Sequence, residues 1–242
     1  MAFVLIFVIA LAVVVGWWLS KQRLFSKPWL EEGVILEGAG VVGTPTPGNT
    51  AKVGLGVFLA VVTSLFALFL SAYTMRAALG DWRPVPVPNL LWLNTVVLVF
   101  SSIALQYAVV AARRDALADV NTGLLAGGIS ALAFIAGQLV AWQQLAAAGY
   151  FLASNPANTF FYLLTAVHGL HLIGGVVALA RAILKARRGV AIDELRVSVS
   201  LCAIYWHFLL LIWLLLFALL LAEANATLAD FILRCKSLIG LS

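Results

Sequence analysis

The fold class that this sequence predicts is all-α, a polytopic transmembrane helical bundle with six spans. Three observations carry it. Of 242 residues, 64% are hydrophobic and 10% charged, more apolar surface than a soluble domain of this size can hide. The apolar residues come in runs of roughly 20 or more, the length that crosses a hydrocarbon core. The period-two alternation of a membrane barrel is absent. The formal charge of +5 is small for a nucleic-acid binder, and the basic residues cluster at span ends, where they set topology. Cys202 and Cys235 lie far apart, without metal-ligand spacing.

Met1–Leu19 is the first apolar run. It lacks a basic leader, and Trp17-Trp18-Leu19-Ser20 is a poor cleavage site. Residues 1–20 are therefore expected to form an uncleaved N-terminal helix, followed at once by Lys21, Arg23 and Lys27 on the cytoplasmic side. Residues 21–52 are too polar and too rich in Gly and Pro to span. They read as a cytoplasmic loop, either a solvated connector or a contact for a partner subunit.

Residues 53–222 read as five further helices in one bundle. Val53–Met75 is the second span and ends at Arg76. A short outer loop, Gly80–Pro88, precedes the third span, Asn89–Ala112. There Thr95, Ser102 and Gln106 fall at i, i+7 and i+11, within one narrow face. Such a stripe should face the bundle and hydrogen-bond there. In the fourth span, Asn121–Ala147, Gly123, Gly127 and Ala131 form a small-xxx-small row that admits a close neighbour. Gln138 and Trp142 lie one turn apart toward its outer end.

The fifth span starts at Pro156, with proline in the first turn, where it fits best. It ends near Leu184 among Arg181, Lys185, Arg187 and Arg188. The sixth, Ser198–Ala222, holds Tyr205-Trp206-His207-Phe208 and Trp213. Residues 223–242 have Leu228, Phe231, Ile232, Cys235, Leu238 and Ile239 at helical spacing, which suggests a short amphipathic helix on the outer surface. Arg76, Arg83, Arg234 and Lys236 are the only outer cations among fifteen Lys and Arg. That asymmetry places both termini outside.

The polar signals converge on Pro156–Gly175. His168 and His171, three residues apart, share a helix face inside an apolar run. His207 of the sixth span would reach similar depth on an antiparallel neighbour. Imidazoles on facing helices can ligate haem b, or form a metal or proton site. They can equally be structural, hydrogen-bonding each other, Thr165, Tyr205 or backbone carbonyls. No Asp, Glu, Lys or Arg lies well inside any span, whereas proton pumps and ion-coupled carriers need ionisable groups at depth. There is no nucleotide motif, no nucleophile–base arrangement and no cysteine cluster. The residues alone describe a helical membrane subunit that does not itself carry chemistry, with no catalytic, cofactor or metal residue to name.

Five blocks then resemble subunit III of the haem–copper oxidases, in family order. They are Phe58-Leu59-Ala60 with Ala72-Tyr73; Leu93-Asn94-Thr95 with Ser101-Ser102 and Leu105-Gln106; Gly137-Gln138-Leu139 with Trp142; Asn155-Pro156, Phe160 to Thr165 and His168-Gly169-Leu170-His171; and Tyr205-Trp206-His207-Phe208 with Trp213. Together they run from about Val53 to Leu221. The departures are systematic: Val62, Ala141 and Leu210 stand where the family pattern has membrane carboxylates. Six spans also differ from the seven of the familiar form and the five of shorter members.

The resemblance implies a non-catalytic core subunit of an aerobic respiratory oxidase in a bacterial inner membrane. It would pack against the oxygen-reducing subunit I, associate with subunit II and bind phospholipid, with haem and copper held by its partners. Asn94, Gln106, Gln138, His168, His171, Tyr205, Trp206 and His207 would then be a structural polar cluster or lipid contacts. A helix ahead of the FLA block leans toward a cytochrome c donor rather than a quinol. The rival readings are an accessory subunit of a nitric oxide reductase or quinol oxidase, and a membrane b-type cytochrome or small-molecule carrier.

Overall fold

The computed structural model describes residues 47–238, and side chains over 50–224. Five helices account for most of it: α1 Pro47–Ala77, α2 Leu90–Arg113, α3 Leu117–Ala147, α4 Pro156–Arg187 and α5 Ile192–Leu238. All five are long and apolar enough to cross a membrane. They correspond to the second through sixth expected spans. The first expected span, residues 1–20, and the loop at 21–46 lie outside the described residues.

Each helix ends where the sequence stops supporting it. The stretch from Gly80 to Pro88 separates α1 from α2 with one glycine and three prolines, residues that break helices. Asp115, at φ 59°, turns the chain between α2 and α3. Asn155 caps α4, accepting a hydrogen bond from Ala157 N at 3.3 Å, and Pro156 takes the first helical position, where its missing N–H is no loss. Gly189, at φ 65°, closes α4; that left-handed conformation suits glycine. No glycine or proline interrupts residues 192–238. The final helix therefore runs unbroken for 47 residues, about 70 Å at 1.5 Å per residue. This corrects the expectation of a separate surface helix after residue 222: the backbone there continues α5.

The chain divides into two compact units at 75/76. Nearly all of α1 falls in the first unit, where Val62 is among the buried residues. In the second unit, α2 to α5 form a closed ring in which each helix packs on the one before it and α5 returns to α2. The tightest seam is α2 with α3. A Cβ at Gly123 would lie 2.8 Å from the Ala104 carbonyl oxygen, and one at Gly127 would lie 2.9 Å from Leu105 Cγ. Ser101 Oγ donates to the Gly127 carbonyl at 2.8 Å. The small-residue row does what its spacing implies: it lets two backbones approach.

Large apolar side chains such as Val96, Ile103, Ile129, Leu170 and Leu211 point away from this unit. That outward apolar surface is what a hydrocarbon surrounding favours and water does not.

Candidate functional site

Four helices contribute one group each to a layer at the centre of the second unit. α2 brings Thr95, α3 Phe134, α4 His168 and α5 Trp213. Thr95 turns its hydroxyl back to the Leu91 carbonyl at 2.8 Å and accepts the Trp213 indole N–H at 3.0 Å. The Phe134 ring stands edge-on to Trp213 with centroids 4.8 Å apart, and edge-on to His168 at 6.0 Å. The His168 imidazole, fully buried, lies 5.4 Å from the Trp213 ring. Edge-to-face packing of this kind suits the ring quadrupoles.

His207 is placed differently. It stands on the exposed side of α5 and bridges to α2. Its Nδ1 meets Ser102 Oγ, and its Nε2 meets Gln106 Oε1 at 3.1 Å. With Oε1 facing Nε2, the consistent proton placement has Nε2–H donating to Gln106 and Ser102 O–H donating to Nδ1. His171 bonds through Nδ1 to the Val167 carbonyl of its own helix at 2.8 Å, and Tyr205 O–H donates to the His171 carbonyl at 2.9 Å.

The three histidines of the sequence reading therefore lie at related depth but face different surroundings. His207 uses both ring nitrogens on α2, and His168 sits among Phe134 and Trp213. Among the described residues there is no group of three His, Cys, Asp or Glu that could hold a metal ion. The stripe of Thr95, Ser102 and Gln106 does hydrogen-bond, and every partner from another helix comes from α5. Gln106 departs from the expectation: its side chain is exposed at the edge of the α2–α5 seam rather than enclosed.

The remaining family-block residues fill the interior. Trp142 Nε1 donates to Thr165 Oγ1 at 3.1 Å across α3 and α4, and Thr165 passes its own proton to the Phe161 carbonyl at 2.7 Å. Asn94 packs its carboxamide against Gly137, where a Cβ would collide with it. Asn94 Nδ2 and both carboxamide atoms of the neighbouring Gln138 are buried without a hydrogen-bond partner among the described residues. The Trp206 ring lies over Gly175, whose Cβ would come within 2.6 Å of Cζ3. Of the positions where the resemblance leads one to expect carboxylates, Ala141 is fully buried and Leu210 half-buried.

Two elements escaped the sequence reading. Phe134 is one turn before Gln138 and seven residues after Gly127, on the same face, so its inward direction was available from spacing alone. Arg196 was counted only as a topology charge. It ties α5 to the end of α2, with Nε donating to the Ala112 carbonyl at 3.0 Å and the guanidinium to Asp115 Oδ1 at 2.7 Å. It also reaches Asp193 at 3.0 Å.

Fold and interior together define a multi-pass helical membrane protein whose polar side chains largely join its own helices. Comparison with known proteins then names the family. The model of cytochrome c oxidase subunit III matches residues 5–222. The chain is 30% identical over 172 residues to cytochrome c oxidase subunit 3 of Thermostichus vulcanus, covering 69% of this chain and 84% of that protein. It is 30% identical over 175 residues to a probable cytochrome c oxidase subunit 3 of Nocardia farcinica, covering 70% and 86%. Against the Synechocystis cytochrome c oxidase subunit 3 the identity is 27% over 172 residues, covering 69% and 72%. The chain belongs to the cytochrome c oxidase subunit III family, the subunit III of haem–copper oxidases.

Proposed function

We propose that this chain is a non-catalytic core subunit of a respiratory oxidase in a bacterial inner membrane. It packs against the oxygen-reducing subunit I alongside subunit II and binds phospholipid. Haem and copper reside in those partners. The observation that carries this reading is the family match over residues 5–222, joined to an interior whose histidine and tryptophan groups hold helices together. His207 links α5 to α2, and Trp213 does the same one layer away. Asn94, Gln106, Gln138, His168, His171, Tyr205, Trp206 and His207 then act as a structural cluster, those near the helix ends touching lipid.

Orientation follows from charge. Arg113, Arg114, Lys185, Arg187, Arg188 and Arg196 gather at the end where α2 meets α3 and α4 meets α5. The α3–α4 connection at residues 148–155 has no charged residue. The basic end belongs in the cytoplasm and both termini on the periplasmic side.

The test is a mild-detergent pulldown of the tagged chain from native membranes, read by mass spectrometry and a reduced-minus-oxidised spectrum. Oxidase subunits I and II with haem and copper at fixed stoichiometry are expected. Reductase subunits carrying non-haem iron would replace the reading with an accessory role in nitric oxide reduction. A chain that comes down alone with b-type haem, lost in His171→Ala or His207→Ala, would overturn it.

A further inference from the structure

Away from the helix ends, the exposed side chains of α2 and of α5 up to residue 224 are apolar or aromatic except at one place. Gln106 lies seven residues before Arg113, about 10 Å along the helix, and His207 lies eleven residues after Arg196, about 16 Å. Both positions fall within a hydrocarbon core roughly 30 Å thick. Both side chains are exposed. Around them stand exposed apolar residues, Ile103 and Tyr107 on α2 and Ile204 and Leu211 on α5. On α5, residues 204, 207 and 211 form one ridge at i, i+3 and i+7, and residues 103, 106 and 107 form the facing ridge on α2. Two antiparallel ridges leave a seam of the kind that receives a third helix.

The chemistry at the centre of the seam is one-sided. Gln106 Oε1 is engaged by His207 Nε2, and His207 Nδ1 by Ser102. Within the described residues the carboxamide N–H groups of Gln106 have no hydrogen-bond partner. Two exposed donors at this depth are costly in acyl chains, which offer no acceptor. The flanking residues ask for an apolar neighbour, and Gln106 asks for an oxygen.

We propose that the α2–α5 seam, with Gln106 at its centre, receives a transmembrane helix of another oxidase subunit that brings a side-chain oxygen acceptor to the depth of Gln106. This rests on the oxidase-subunit reading above and specifies the face by which the chain docks. The chain's own first apolar run is a poor occupant, because Met1–Gly16 contains no side-chain oxygen. A second copy is left to the test to exclude, since the Gln106 carbonyl keeps one lone pair that can accept from its own symmetry mate.

The test uses the intact complex purified from native membranes. A photoreactive amino acid replaces Ile103 or, separately, Leu211, with Ile129 of α3 as a lipid-facing control; all three leave Gln106 in place. Positions 103 and 211 are expected to couple to the same helix of one other oxidase subunit, within a turn of an Asp, Glu, Asn, Gln, Ser or Thr. Position 129 is expected to label lipid. Adding Gln106→Leu should lower retention of this chain on the washed complex by roughly three- to tenfold, the size of an interhelical hydrogen bond. Labelling at 103 and 211 that falls only on lipid, on a second copy or on residues 1–19, in a complex that retains its oxidase subunits, overturns this inference and leaves the subunit reading standing. A chain that does not purify with oxidase subunits overturns both.

Discussion

Trp213 of α5 donates its indole N–H to the hydroxyl of Thr95 on α2, 3.0 Å away, while the same ring packs edge-on against Phe134 of α3. With His168 of α4 also 5.4 Å from this ring, one side chain joins four helices, once by hydrogen bond and twice by ring contact. The two contributions separate by substitution. Trp213→Phe keeps an aromatic ring and loses the N–H; Thr95 still bonds to the Leu91 carbonyl, so no polar group is orphaned. The expected loss is about 0.5–2 kcal/mol. Trp213→Ala also empties the centre and should cost about 3–5 kcal/mol. Equal losses in reversible unfolding in detergent would show that the hydrogen bond, not the packing, holds this layer.

Neighbouring glycines should respond oppositely to alanine. Gly174 has open space where its Cβ would stand, whereas a Cβ at Gly175 meets the Trp206 ring and one at Gly123 meets the Ala104 backbone oxygen. Gly174→Ala is expected to be neutral or stabilising by up to about 1 kcal/mol. Gly123→Ala and Gly175→Ala should each destabilise by about 1–3 kcal/mol. A thermal series on the purified complex checks the order, and a harmless Gly123→Ala would contradict the close approach of α2 and α3.

Gln138 is buried with neither carboxamide atom hydrogen-bonded among the described residues. Replacing it with an apolar residue of similar shape removes a desolvation cost and no bond. Gln138→Met is therefore expected to hold or raise the melting temperature. A drop of several degrees would reveal a partner for that carboxamide.

Where α2 meets α3, Arg196→Lys keeps the charge but cannot hold the Ala112 carbonyl, Asp115 and Asp193 in one planar fork. The guanidinium is partly exposed, so the ion pairs themselves contribute little. The expected cost is about 0.5–1.5 kcal/mol, chiefly from the carbonyl bond. Faster amide exchange confined to residues 111–117 is the accompanying signature.

Acid should act on the loop between α1 and α2 in a defined direction. The Arg76 guanidinium hydrogen-bonds both Asp81 oxygens, at 2.6 and 2.5 Å, and by that bond and its charge holds the Asp81 carboxyl below the usual carboxylate range. A carboxyl whose folded pKa is depressed contributes stability above its unfolded pKa, near 4. That contribution disappears as pH falls through the folded pKa. Stability curves of the native chain and Asp81→Asn should converge in acid, part as pH rises through the folded pKa and be fully separated above about pH 4. A gap that ignores pH would show that the pair does not couple to folding.

Much of this architecture could be read from the sequence because bilayer chemistry simplifies the code. Apolar length gave the five described spans, Pro156 marked the start of α4, and the glycine row of α3 foretold its contact with α2. The directions of side chains were harder. His168 and His171 share a face by spacing, yet spacing cannot show that His207 turns to Ser102 and Gln106. That pairing depends on which helix closes the ring, a long-range fact. The continuation of α5 past residue 222 was obscured by charges that suggested a surface segment, although the absence of glycine and proline there pointed the other way. Arg196 was hidden for a related reason: at a span end, a cation that anchors a carbonyl looks like one that only sets topology.

Four hydrogen-bonding groups of α2 share one property. Thr95 is met by Trp213, Ser102 and Gln106 by His207, and the Ala112 carbonyl by Arg196. All three of those partners belong to α5. Chains emerge from the ribosome N-terminus first, so α2, α3 and α4 are made before any of these bonds has its second half. Until the last helix arrives, the nascent protein presents a polar stripe to the lipid along α2. A chain truncated before residue 192 keeps that stripe without any of its partners.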